Sequence, residues 1–60
     1  MLDQSKVGIQ LRLLRKRARV SLQFVADTID KSPQYLSDLE HGRRSWTQPL
    51  YSAYLKAIGK

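Results

Sequence analysis

The sequence has no cysteine, one histidine, three glycines and two prolines among its 60 residues. Without cysteine there is no disulfide and no thiolate metal site, which is typical of a reducing compartment, so we expect a cytoplasmic protein. One histidine, no cysteine and no His/Asp/Ser constellation leave no nucleophile–base pair or metal cluster to propose, so we expect neither an enzyme nor a cofactor. No apolar run reaches the length of a membrane span, and no stretch resembles a signal peptide.

Acidic residues are also scarce. Five Asp and Glu stand against eleven Lys and Arg, which gives a formal net charge of +6. Such a charge favours polyanions and speeds association with nucleic acid or an anionic membrane surface, but it also promotes solubility. Composition alone does not choose among these. At this length we expect one domain, residues 1–60, stabilised by helix packing and possible contacts with a second copy.

Apolar residues at helical spacing predict an all-α fold, and no strand-like alternation competes with this interpretation. The first helix should end near Ala18 or Arg19, and Gly8 inside it should cost about 1 kcal/mol relative to alanine. Ser21 can cap a second helix that contains the segment LQFVADTI. The apolar stripe of the first helix consists of Val7, Leu11, Leu14 and Ala18.

Two further helices complete the predicted fold. The third should span residues 33–41, because Ser32 can cap it, proline suits its first position and Gly42 can end it. The fourth should run from about residue 47 to residue 58, with Pro49 in its first turn. Trp46, between them, is expected to pack over the small core rather than to contact a phosphate or sugar.

The second and third helices are separated by only three or four residues. This is the plan of a helix-turn-helix, here about residues 21–41, whose second helix enters the major groove of DNA. From Val7 to Gly59 the chain also resembles the phage repressor and Cro family of helix-turn-helix regulators, the xenobiotic-response-element type. The resemblance lies in Arg15, S-x-x-x-V-A at 21–26, S-x-x-Y-L-S at 32–37 and L-E-x-G-R at 39–43. It implies a compact four-helix, lambda-repressor-like domain.

The resemblance makes the third helix the recognition helix. It implies that Pro33, Gln34 and Asp38 face base edges, with Ser37 close by. Helical spacing agrees, since burial of the leucines at 36 and 39 places residues 34, 37, 38 and 41 on the opposite face. Glutamine can pair with adenine, aspartate can accept from the cytosine amino group, and serine can serve either base. The alternative is a solvated polar face.

Asp38 has two open interpretations. A carboxylate that faces a phosphate-lined groove costs affinity, so Asp38 either reads cytosine or disfavours wrong sites. Alternatively it forms a surface salt bridge with Arg43 or Arg44. The sequence by itself leaves both open.

The resemblance also implies a structural ion pair and a set of phosphate contacts. Arg15 and Glu40 should meet and tie the first helix to the end of the third, fixing the pose of the reading helix. Phosphate contacts are expected from helix N-termini and nearby basic residues. The candidates are Ser21, Gln23, Ser32, Arg43, Arg44 and Thr47.

The chain departs from the family pattern in three places. Leu22 stands where glutamine is usual, with Gln23 one position later, which puts the phosphate role of either in question. Arg19 stands where glycine is common, so either it adopts a left-handed conformation or the turn differs. Many members continue into a fifth helix that forms the dimer, whereas this sequence ends at Lys60. We therefore expect a weak or DNA-induced homodimer on a pseudo-palindromic operator.

Four residues are candidates for a partner surface. Ile9 and Leu13 form an extra apolar pair on the first helix, which either covers the fourth helix, the commoner outcome, or stays exposed. Tyr51 and Tyr54 on the fourth helix are similar candidates.

These observations predict a sequence-specific double-stranded DNA-binding regulator, most simply a phage or mobile-element repressor that acts by occupying a promoter. The alternative is a small inhibitor or adaptor that binds a protein partner through the same scaffold, with Ile9, Leu13 and the tyrosines as its surface. A membrane binder is not expected, because short capped helices imply a folded core.

Overall fold

The computed structural model describes residues 4–59. They form four helices: α1 Gln4–Arg17, α2 Leu22–Thr28, α3 Pro33–Glu40 and α4 Gln48–Ala57. No strand occurs in this range. The predicted all-α fold of four helices is therefore confirmed, and the end of α1 and the boundaries of the other three helices lie within one or two residues of their expected places.

Three helices begin at a hydroxyl cap, and the sequence predicts two of these caps, Ser21 and Ser32. The Ser21 side chain accepts a hydrogen bond from the Phe24 amide, and Ser32 accepts one from the Tyr35 amide. Thr47 caps α4 in the same way. A capping hydroxyl satisfies one of the amides that a helix start leaves without a partner, so these residues fix where each helix begins.

The core lies where all four helices meet. Trp46 packs edge-on against Tyr54, with ring centroids 5.4 Å apart, and its indole N–H donates to the Leu39 carbonyl at 3.1 Å. The predicted packing role of Trp46 is confirmed. The buried apolar residues are Val7, Leu11, Val25, Ala26, Leu36, Leu39, Trp46, Tyr54 and Ile58.

Two expectations about apolar residues were wrong, and one open alternative is decided. Ala18 is exposed, because α1 ends at Arg17 and the stripe stops one turn earlier. Of the two alternatives for Ile9 and Leu13, the structure has the exposed one, since these side chains remain 57% and 50% exposed. Tyr54 is fully buried and cannot form a partner surface, whereas Tyr51 is half-buried.

Two turns use a left-handed residue that is not glycine. Arg19 has φ 59° and Asp30 has φ 60°. Asp30 tolerates this conformation better than most side chains, but Arg19 takes it at the position where the family commonly has glycine. Of the two alternatives left open for Arg19, the structure therefore has the left-handed conformation.

Gly8 allows α1 to approach the end of α3 closely. A Cβ atom at this position would lie 2.6 Å from both the Glu40 and Leu39 carbonyl oxygens. Backbone atoms cannot rotate away, so only glycine fits here at this helix separation. The residue that weakens α1 locally thus sets the distance between α1 and α3.

No helix within residues 4–59 combines the length and the apolar character needed to cross a membrane.

Candidate nucleic-acid interface

The outward face of α3 collects the residues predicted to read bases. Leu36 and Leu39 are fully buried beneath this helix. Gln34 therefore lies on the opposite side, exposed to solvent, with Ser37 and Asp38 half-buried beside it. Pro33 is exposed at the first helical position.

Asp38 lies at the centre of a polar cluster on this face. Its Oδ1 accepts hydrogen bonds from Gln34 Nε2 at 3.1 Å and from Arg43 Nη1 at 3.2 Å. Its Oδ2 lies 3.6 Å from Arg44 Nε. The salt-bridge interpretation of Asp38 is thus present in the structure, and it involves both arginines at once.

The pKa of Asp38 reflects these neighbours. Desolvation of the carboxylate tends to raise its pKa, but the hydrogen bonds from Gln34 and Arg43 outweigh it, and the charges of Arg43 and Arg44 act in the same direction. The net effect is a pKa below the ordinary value for aspartate, so Asp38 is ionised and forms salt bridges with both arginines.

Tyr35 holds one of these arginines from a second side. The Arg44 guanidinium carbon lies 4.6 Å from the centre of the Tyr35 ring, and Lys31 Nζ lies 5.4 Å from it. A ring at this distance attracts a cation through its quadrupole. Sequence reasoning missed Tyr35, although an aromatic residue between basic residues was a usable signal.

His41 is the C-cap of α3. Its Nδ1 lies 2.8 Å from the Ser37 carbonyl oxygen and 3.5 Å from Ser37 Oγ. The ring therefore lies along the last turn of α3, one turn beyond the predicted reading residues.

A buried ion pair fixes α3 against α1. Arg15 Nε donates to Glu40 Oε2 at 2.9 Å and Nη2 donates to Oε1 at 3.3 Å, so the pair that the resemblance implies forms two parallel hydrogen bonds. Arg15 Nη1 also donates to the Val20 carbonyl at 3.0 Å, which ties the pair to the turn before α2. Glu40 is 3% exposed, so solvent screens this pair little.

Tyr54 and Arg12 are two further partners of Glu40. The Tyr54 hydroxyl donates to Glu40 Oε2 at 2.5 Å, and Arg12 Nε lies 3.9 Å from Oε1. Burial and the hydrogen bond to Glu40 both raise the pKa of Tyr54 far above its ordinary value, so the hydroxyl keeps its proton. Burial tends to lower the pKa of Arg15, but Glu40 raises it further, and the net shift is upward. Sequence reasoning missed Tyr54, although tyrosine on a buried stripe signals a polar partner.

The other predicted phosphate contacts lie at helix starts. Ser21, Ser32 and Thr47 are exposed N-caps whose oxygens accept amide hydrogen bonds at 3.0, 3.1 and 3.3 Å, respectively. Each hydroxyl keeps its own hydrogen to donate. Gln23 is exposed and donates from Nε2 to Asp27 Oδ1 at 2.8 Å, while Leu22 packs against the core. The structure joins Arg43 and Arg44 to the α3 face, whereas the hydrogen bonds of the other four stay within their own helices.

Within residues 4–59 no three His, Cys, Asp or Glu side chains are grouped so that they could hold a metal ion.

Comparison with known proteins gives two matches. A family model described as a helix-turn-helix domain matches residues 6–59. The crystal structure of the clp gene regulator ClgR from C. glutamicum superposes with a TM-score of 0.91 and 34% sequence identity. The match covers 98% of this chain and 77% of that one. No curated protein sequence matches this chain.

Proposed function

Because this chain belongs to the helix-turn-helix family, in its Cro and repressor-like form, we propose that it is a sequence-specific double-stranded DNA-binding transcriptional regulator. The observation that supports this most is the outward face of α3. Gln34, Ser37 and Asp38 lie there together, and two arginines flank them. A helix of this kind can enter the major groove with its polar side chains on base edges and its flanking cations on phosphates.

The pose of α3 is the first requirement for reading. A base contact demands that side chains reach hydrogen-bond distance from a rigid support. Here Arg15 on α1 and Tyr54 on α4 both donate hydrogen bonds to Glu40. Gly8 lets α1 lie directly against the last carbonyls of α3. These contacts position the helix and take no part in reading.

Base recognition is assigned to three polar side chains and the exposed ring of Pro33. Gln34 can form two hydrogen bonds to adenine, Asp38 can accept from the amino group of cytosine, and Ser37 can serve either base. Each good pair of this kind discriminates by about 1–3 kcal/mol against a wrong base.

Binding requires an exchange of partners around Asp38. In the free protein Arg43 and Arg44 face the Asp38 carboxylate. On DNA these arginines turn to phosphates, and the carboxylate needs a new donor. A cytosine amino group provides one. Adenine also has an amino group but places the N7 acceptor beside it, while thymine presents a carbonyl oxygen and guanine presents two acceptors. Asp38 thereby links the general attraction to DNA to the identity of one base pair.

The remaining phosphate contacts are assigned to Ser21, Gln23, Ser32 and Thr47. Three of these are capping residues at exposed helix starts, where backbone amides and a free hydroxyl hydrogen point outward. The formal charge of +6 on 60 residues supports rapid, salt-dependent association with DNA.

The finer proposal is a repressor of the phage or mobile-element kind that acts by occupying a promoter. It binds a pseudo-palindromic operator as a weak or DNA-induced homodimer, with the two copies about one DNA turn apart. No chemistry is performed, and occupancy of the site is the whole mechanism.

Selection from random duplex DNA at moderate salt tests this function. We expect enrichment of a short palindrome that contains cytosine at one position in each half-site. The matched variants are Gln34→Ala on the reading face and Gln10→Ala on α1, which is exposed and lies outside that face. Loss of preference with Gln34→Ala alone supports the proposal. If no sequence is enriched, the proposal is wrong and the inhibitor or adaptor alternative takes its place.

A further inference from the structure

The outer face of α1 presents two apolar side chains that the core does not use. Ile9 and Leu13 are one helical turn apart, and their side chains are 57% and 50% exposed. Val7 and Leu11 on the same helix are buried. Within residues 4–59 Phe24 is the other large apolar side chain with comparable exposure. A paired exposure on one face is a stronger sign of a binding surface than a single exposed side chain.

Two surface grooves share Leu13 as a lining residue. One, of about 240 Å³, runs between α1 and the end of α3 and is lined by Ile9, Arg12, Leu13, Glu40 and His41. The other, of about 260 Å³, is lined by Gln10, Leu13, Leu14 and Arg17. Leu13 lines both grooves, so one partner segment that contacts Leu13 can place a side chain in each.

The charges around this face are positive. The segment Gln4–Arg17 contains five Lys and Arg and no acidic residue. Arg12 borders the first groove and Arg17 the second. The only acid in the lining is Glu40, whose side chain is 2% exposed and already held by Arg15. A partner therefore meets cations around an apolar centre.

We propose that this face of α1 binds an acidic amphipathic helix of another protein. The segment would place two apolar side chains, spaced by one turn, beside Leu13 and direct carboxylates to Arg12 and Arg17. An amphipathic helix in an apolar groove is a recurrent mode of recognition, and its charges set specificity and association rate.

The same observations disfavour the other occupants. A second copy would bring this cationic face against itself, so the charges of the two copies would repel each other. DNA matches the charge but leaves the apolar pair against a polar backbone. An anionic membrane matches both features, but membrane-surface helices carry a broad apolar face, whereas this one offers two side chains.

A displayed library of helical peptides, selected on the intact protein, tests the proposal without DNA. Peptides that bind the Ile9→Ser/Leu13→Ser variant are removed by counter-selection. We expect the enriched peptides to be acidic, with two apolar residues at i and i+3 or i+4. Their affinity, measured by fluorescence anisotropy, should fall by about tenfold or more for that double variant. Arg12→Gln/Arg17→Gln should weaken binding severalfold and flatten its salt dependence.

The matched control is Phe24→Ser, which removes an equally exposed apolar side chain from α2. It should leave peptide binding unchanged, and all variants should retain the helical circular dichroism of the parent chain. Enrichment of neutral or basic peptides, equal binding to the double variant, or no enrichment would overturn the proposal. So would self-association in sedimentation equilibrium, or binding to phosphatidylglycerol vesicles, that depends on Ile9 and Leu13.

Discussion

Gly8→Ala places helix propensity and tertiary packing in direct opposition. Alanine is the better helix former by about 1 kcal/mol, so propensity alone predicts a stabilised α1. The structure predicts the reverse, because the added methyl group would lie 2.6 Å from two carbonyl oxygens and 2.9 Å from the Glu40 carbonyl carbon. Relief requires α1 to move away from the end of α3.

The expected size follows from these contacts. Forcing an extra methyl group into a packed site costs about 1–3 kcal/mol, and the upper end applies where the obstructing atoms are backbone. After the gain in helix propensity, about 2 kcal/mol of net destabilisation remains. For a domain of this size that corresponds to a fall of about 8–16 °C in the unfolding midpoint.

Thermal and urea unfolding, followed by circular dichroism, measure this change. Gln10→Ala is the matched control, since Gln10 is exposed on the same helix and its replacement should change stability by about 0.5 kcal/mol or less. A Gly8→Ala protein that is as stable as the parent chain, or more stable, would refute the argument that glycine sets the α1–α3 distance.

Three further predictions concern the buried contacts of Glu40 and the outward face of α3. Tyr54→Phe removes the hydroxyl that donates to the buried Glu40 carboxylate, so stability should fall by about 1–3 kcal/mol with the helical spectrum retained, and an unchanged urea midpoint would contradict it. Gln34→Ala should relax the base preference at one base pair, whereas Arg44→Ala should weaken binding to all DNA sequences and lower the slope of log affinity against log salt concentration by about 1. If both variants lose equal affinity on random and on selected DNA, α3 does not read bases. Asp38→Asn should bind random DNA more tightly and discriminate cytosine less. The pKa of Asp38 is lower in the folded chain than its ordinary value, so the ionised carboxylate stabilises the fold above the ordinary aspartate pKa. This stabilisation is lost as the pH falls through the folded pKa. The parent chain should therefore lose stability on acidification, whereas the Asp38→Asn variant should not lose this contribution. Equal acid dependence in urea titrations, or unchanged cytosine preference, would count against these roles.

Much of the fold could be predicted because its determinants are local. Ser21, Ser32 and Thr47 act within three residues of their own helix starts, so the sequence places the helices to within a residue or two. The outward position of Gln34 follows equally from the burial of Leu36 and Leu39 on the same short helix. The motif order added the pairing of Arg15 with Glu40, which local pattern alone does not contain.

Other features could not be predicted, because they depend on how helices far apart in sequence approach each other. Helical spacing aligns Tyr54 with Leu50 and Ile58 but does not reveal that its hydroxyl donates to Glu40, fourteen residues away. Ile9 and Leu13 could have covered α4, and only the packing of α1 leaves them exposed.

The amino-acid sequence by itself determined the helices, their caps, the positive charge and the polar face of α3. These follow from backbone hydrogen bonding and side-chain spacing within a few residues. The tertiary structure alone decided three things: that Gly8 is a spacer between helices, that Asp38 holds both flanking arginines, and that Glu40 has a further partner, Tyr54, on α4. Each depends on a distance of about 3 Å between groups from separate segments, and such distances are fixed only when the whole core is packed.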